Sequence, residues 1–249
     1  MQRGILVAKR IRWAPLPLHT KATLLASLVG PAAMYGFSAG GFQASLINSL
    51  RVAVTNALWG HKRRGRCREI VMTLFAKGHL VDPMQVAGYQ CLRQLRRLAQ
   101  TRPEMLCELN AVWRAYADGH RSQGGPVAVI HKTLQWMGWE WQSPTSFARP
   151  DRPALCLTQG PDSWWSHEIR HGMRMAEWKR AASRRADMQG IDCLAGIDRT
   201  ATLAVLNSKK GHTDAKEFLT GINVRLLIDS KTTVRAGQGS IPHVPALQS

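Results

Sequence analysis

Carboxylates are scarce in this chain. Its 249 residues hold 16 Asp and Glu against 34 Lys and Arg, a formal net charge of +18. That shortage speaks against a two-metal nuclease or polymerase centre, which needs clustered acids. Asp192 and Asp198 stand among Gly190 and Gly196, where turn and helix-cap chemistry accounts for them. Long apolar runs are also missing. The longest, from Ala22 to Phe37, is interrupted by Ser27, Gly30 and Pro31 and falls short of the ~20 residues that span a bilayer. Lys9, Arg10 and Arg12 follow only a few apolar residues, so residues 1–12 lack a signal-peptide core. The expectation is an intracellular protein, nuclear or cytoplasmic, neither secreted nor transmembrane. Cysteine is sparse and unpatterned: Cys67, Cys91, Cys107, Cys156 and Cys193 form no CxxC, which argues against a disulfide framework and a cysteine zinc site. Neither a phosphate-binding G-x-x-x-x-G-K-[ST] nor a dinucleotide G-x-G-x-x-G at a strand–helix junction occurs. No internal repeat is visible.

What remains is positive charge and helical pattern. Many like charges on one compact body repel each other, and a polyanion relieves that repulsion while releasing its condensed counterions. Nucleic acid is therefore the first candidate partner and an anionic membrane surface the second. The densest cluster is the loop Lys62, Arg63, Arg64, Arg66, Arg68. A second, Arg93, Arg96, Arg97 and Arg102, lies on a helix, where three- and four-residue spacing puts the first three on one face. A third, Arg170, Arg174, Arg180, Arg184 and Arg185, lines a longer helix. Any one of these alone is ordinary surface solvation. Three together, with few acids between them, favour a track for phosphates. The expected contacts are Lys62, Arg63, Arg64, Arg66 and Arg68, then Arg96, Arg97, Arg184 and Arg185.

The expected fold is mainly α: bundle-like helical subdomains with a small β-hairpin and a disordered C-terminal tail. Residues 1–20 read as irregular and basic. Thr20 can cap a helix to Val29 that Pro31 kinks or breaks. Ser45 to Trp59 forms a helix with Leu46, Leu50, Val54 and Leu58 inward. A short helix from Glu69 to Ala76 follows. Asp82-Pro83 is a strong start signal, an acid at the cap and a proline at the first helical position. That helix runs to about Gln100, with Val86, Leu92, Leu95 and Leu98 inward. A helix opening at Thr101–Pro103 and another from Val127 to Met137 come next. Strand-like pieces stand at Trp139–Trp141 and Ala154–Thr158. Pro161-Asp162 opens the longest helix, to about Met188. The resulting division is a thumb-like helical region over 1–123, a second helical region with the β element over 124–229, and a tail over 230–249.

Two features compete as chemistry. Trp136, Trp139, Trp141, Trp164, Trp165 and Trp178 can stack unpaired bases, although core packing is the commoner use of such residues. The string His167-Glu168-Ile169-Arg170-His171 matches H-E-x-x-H, in which two histidines one turn apart bind zinc and the acid serves as base. Against it, Arg170 and Arg174 put positive charge beside a dication, and no third ligand stands at a familiar spacing. A zinc-dependent hydrolase is thus an alternative, and two partly exposed histidines on an amphipathic helix the plainer reading.

Several strings together resemble the region just downstream of the palm in LINE-type (non-LTR) retrotransposon reverse transcriptases, protist ones especially. They are Leu16-Pro17-Leu18 with Lys21; Val29-Gly30-Pro31-Ala32-Ala33-Met34-Tyr35-Gly36; Leu50-Arg51-Val52-Ala53 through Ala57-Leu58-Trp59-Gly60 with Arg68-Glu69-Ile70-Val71; and Gly78-His79 with Val81-Asp82-Pro83. Gly125-Pro126, Leu134, Gly138-Trp139, Trp178, Arg184-Arg185 and Gly190-Ile191 continue the series, which spans positions 5–206. The resemblance implies a thumb and connecting region that binds RNA or DNA, with the rest of such a polyprotein as partner. The parent enzyme would be an RNA-directed DNA polymerase. Its magnesium would belong to the palm, whose F/Y-x-D-D-type aspartate box has no counterpart here. No catalytic residue carries over, no cofactor is expected, and no Cys/His zinc knuckle follows. The resemblance implies a truncated or degenerate copy, so a non-functional remnant is a further alternative.

Overall fold

The computed structural model describes residues 1–35, 44–59, 68–120 and 124–184. Within them the chain is mainly helical, with one small antiparallel sheet. The first departure from expectation comes at once. Residues 1–20 are not irregular, because helix α1 covers Gln2–Trp13. Gly4, Ala8 and Ile11 recur every three or four residues and form its buried stripe. The stripe is too small in volume to stand out in a hydrophobicity reading.

Helix α2, Leu18–Leu24, runs on through a π-helical stretch, Leu25–Val29, into α3, Gly30–Met34. Pro31 does not end the run. A proline ring clashes with the carbonyl four residues back. The widened turn answers that clash, since the Gly30 N–H bonds to the Leu25 carbonyl, five residues back. Gly4 lets α1 lie on α3: a Cβ there would stand 2.5 Å from the Cβ of Ala33.

Helix α4, Ala44–Trp59, buries Ile47, Leu50, Val54 and Leu58 as its periodicity requires. Leu46 is only partly covered. The short α5, Arg68–Ile70, and a second π-helical stretch, Val71–Phe75, lead to α6, Gly78–Val81. Helix α7 is Pro83–Thr101, and the Asp82 carboxylate accepts the Met84 N–H at its start, as the Asp-Pro signal predicts. Val86 and Leu92 face inward, but Leu98 is exposed and Ala99 and Arg96 take the interior positions. Helix α8, Met105–Ala117, packs Leu106, Leu109, Trp113 and Tyr116 against the core and buries no residue fully. Helix α9, Gly125–Met137, closes on Gly138 at φ +70°, where the Gly138 and Trp139 N–H groups take the Gln135 and Leu134 carbonyls.

The β element has three strands, not two: β1 Glu140–Ser143, β2 Ser146–Arg149 and β3 Arg152–Cys156, antiparallel in that order. The middle strand, Ser-Phe-Ala-Arg, escapes the sequence because only Phe147 in it is a strong β former. Trp141, Phe147 and Leu155 supply the sheet's buried face. Helix α10 covers Asp162–Arg184 among the described residues and packs on α9 and α7. Gly88 sets the α7–α9 distance: a Cβ there would collide with the Thr133 side chain.

Buried charge joins these elements. Arg51 of α4 is fully enclosed. Its Nε donates to Asp82 Oδ1 at 2.7 Å, and its Nη2 donates both to Asp82 Oδ2 and, at 2.7 Å, to Glu177 Oε1 of α10. Burial pulls the guanidinium's pKa down, but the two carboxylates more than offset that and hold it above its ordinary value. Glu177 differs. It receives one bond from Arg51 where Asp82 receives two, and its Oε2 has no partner among the described residues. Burial therefore outweighs Arg51 and raises the Glu177 pKa, with Asp82 and Glu69 adding to the rise.

Candidate nucleic-acid interface

The structure sorts the arginines singled out above into braces and exposed cations. Arg96 is a brace and is corrected as a contact residue. It is 3% exposed. Its Nε donates to Asp162 Oδ1 at 2.8 Å, Nη1 to the Leu157 and Gln159 carbonyls at 2.8 and 3.0 Å, and Nη2 to the Gly160 carbonyl at 2.6 Å. The guanidinium also lies 5.2 Å from the centre of a Trp165 ring. It holds the β3–α10 turn to α7 and has little left for a phosphate. Its helical neighbours Arg93 and Arg97 do face out. They line a groove of about 1020 Å³ along α7 with Gln90, Gln94 and Gln100. Helical spacing groups these arginines, but it cannot say which member the core claims.

Two residues from distant parts of the sequence meet. Arg68, at the start of α5, places Nη2 3.4 Å from Glu69 Oε1, and Arg184, at the far end of α10, places Nη1 3.6 Å from the same oxygen. Arg180, one turn earlier, stands 4.0 Å from it. Three guanidiniums thus face one carboxylate. Arg184 keeps 56% of its side chain exposed. Arg68 Nε has no bonding partner among the described residues. The crowding registers on Arg180, whose pKa is lowered by partial burial and by Arg184, Arg51 and Arg68. Lys62, Arg63, Arg64, Arg66 and Arg185 lie outside the described residues, as does the tail from 230.

The histidine pair does not fit a zinc hydrolase. The His167 and His171 rings lie 6.4 Å apart and nearly parallel, on α10 as expected. The acid that would serve as base is engaged elsewhere. Arg149 Nη1 donates to Glu168 Oε2, and Arg152 Nη1 to both of its oxygens at 3.0 and 3.2 Å. Burial works to raise the Glu168 pKa, but these two guanidiniums prevail and hold it below the usual carboxylate range. His171 is lowered by burial, then by Arg152 and Arg174. Among the described residues no group of three or more His, Cys, Asp and Glu gathers as a ligand set. Glu168 is a tether from α10 to the β2–β3 turn. Arg149 completes it by donating to the Pro153 carbonyl and lying 5.7 Å from a Trp139 ring centre.

The tryptophans of the second half are chiefly core. Trp165, Trp141 and Trp178 are buried, Trp136 and Trp139 are partly buried, and Trp164 alone of the six is exposed. The tryptophan most open to solvent among the described residues is Trp13, with Lys9 and Arg12 on the same helix. Reading residues 1–20 as irregular hid them. A usable signal was present, because no Asp or Glu precedes Glu69. Among the described residues no helix is long and apolar enough to cross a membrane. No family model, curated protein or solved structure matches the chain.

Proposed function

We propose that this chain binds RNA or DNA through its phosphates, as the thumb-like and connecting part of a retrotransposon reverse transcriptase, and performs no polymerase chemistry by itself. The observation that carries the binding is the convergence of Arg68, Arg180 and Arg184 on the single carboxylate of Glu69. Three cations around one anion leave unbalanced positive charge at the surface, and a phosphate oxygen is the acceptor a guanidinium fork grips best. Arg93 and Arg97 present a second exposed cationic pair beside the groove along α7. The attribution to a reverse transcriptase rests on the ordered strings given above.

The test is the salt dependence of oligonucleotide affinity. Each phosphate contact contributes about 0.7–0.9 to the slope of log K against log salt. Arg68→Gln/Arg184→Gln should flatten that slope by about 1.4–1.8, and Arg63→Gln/Arg64→Gln should do the same if the basic segment also touches phosphate. An unchanged slope in the first variant, or no binding in dilute buffer, overturns the reading.

A further inference from the structure

The N-terminal surface carries a second kind of site. Residues 1–68 contain eleven Lys and Arg and no acid. Between α1 and α4 lies an open groove of about 560 Å³. Lys9, Arg12 and Trp13 form one wall, and Asn48, Val52 and Asn56 belong to the other. No carboxylate lines it. Trp13 is 76% exposed, and the exposed Val52 continues the apolar surface. The Arg12 guanidinium lies 4.5 Å from the centre of a Trp13 ring, a cation on an aromatic face. The helix end that presents this ring is anchored, because Lys21 Nζ donates to the Arg12 carbonyl at 3.0 Å. The ring is thus presented from a fixed backbone, which lowers the ordering cost of binding.

We infer that this groove takes an unpaired nucleobase of a single-stranded nucleic acid, stacked on Trp13 with its flanking phosphates on Lys9 and Arg12. The inference rests on the phosphate-binding reading and adds strand type to it. The physical case is complementarity. A base offers a flat apolar face that covers an exposed indole, and a polar edge suited to an amide such as that of Asn48. Its backbone brings the anions that an acid-free wall lacks. A duplex buries its base faces and offers only the last of these.

The experiment compares three dye-labelled probes by fluorescence anisotropy with the full chain: an oligothymidylate of about 12 nucleotides, within the span such sites cover, an abasic strand of equal length and charge, and a duplex. The wild-type protein should prefer the oligothymidylate over the abasic strand. Trp13→Ala should weaken oligothymidylate binding about 5- to 150-fold, the range for one stacked base, and leave the abasic strand and duplex unchanged. Trp13→Phe should retain most of the affinity. Matched thermal melts check that the exposed substitutions leave the fold intact. Equal affinity for the oligothymidylate and abasic strands sinks the stacking site while phosphate binding stands. A loss of equal size on both strands, or no loss in Trp13→Ala, likewise overturns it. Failure to bind any probe removes the underlying reading as well.

Discussion

Replacing Arg51 by methionine tests the internal architecture most directly. Methionine is unbranched, apolar and fills irregular core gaps, so the substitution removes the charge while keeping much of the volume. What it leaves is worse than a void. Asp82 and Glu177, both buried, lose the guanidinium that receives their charge. Stranding a partner of a buried ion pair costs about 3–5 kcal/mol. A domain's whole stability is only about 5–15 kcal/mol, so the loss is between a fifth and all of it. At roughly 2–4 °C per kcal/mol for a chain of this size, the melting temperature should fall by about 6–20 °C. Far-ultraviolet circular dichroism during heating measures it. Arg97→Met, the same change at an exposed site, is the control and should stay within about 0.5 kcal/mol.

Two further arms test the cause. Arg51→Met/Asp82→Asn/Glu177→Gln removes all three charges, and asparagine keeps the α7 cap. Neutral replacements of buried ion pairs are often tolerated, so the triple variant should recover most of the loss. Acidification is the second arm. Glu177 is already raised by burial with Arg51 present, and loss of the guanidinium raises it further. A raised acid is stabilising when protonated and costs stability as pH rises through the unfolded value, so the deficit should narrow as pH falls toward about 4. A single variant no worse than Arg97→Met, or a triple variant no better than the single, refutes the reasoning.

Two other outcomes follow from the packing. Gly88→Ala pushes a methyl into Thr133 and should cost about 1–3 kcal/mol through overpacking at the α7–α9 crossing. A denaturant titration that shows no loss for Gly88→Ala would count against the crossing. His79 lies edge-on to Tyr89 at 5.3 Å, and burial, then Arg170, Lys77 and Arg174, lower its pKa from 6.5 to about 4. The depressed value means its contribution is present above 6.5 and is lost as pH falls toward about 4. NMR should show its ring neutral at pH 5, His79→Phe should flatten the stability profile across that window, and a titration near 6.5 would refute the burial argument.

The helical signals that local chemistry controls were legible. Asp82-Pro83 marked the start of α7 because the cap bond and the fixed proline φ act within three residues. The four-residue recurrence of Leu50, Val54 and Leu58 marked α4 for a similar reason. α1 was missed because glycine and alanine make a weak stripe, although Gly4 is what allows close approach to Ala33. β2 was missed because Ser-Phe-Ala-Arg holds one strong β former and owes its strand to pairing with β1 and β3 on either side. The arginine clusters were visible as charge, but Arg96 and Arg97 are neighbours of one residue type with opposite fates.

By itself the amino-acid order determined the cationic excess, the helix-rich character and the α7 start, since each depends on composition or on contacts within a few residues. Only the tertiary structure decided which guanidiniums became braces and which stayed in water. Arg51 reaches carboxylates 31 and 126 positions away, and Arg96 reaches one 66 positions away. Such pairings depend on how helices cross. A charge is worth burying only where the crossing delivers its partner, and one-dimensional spacing carries no record of that.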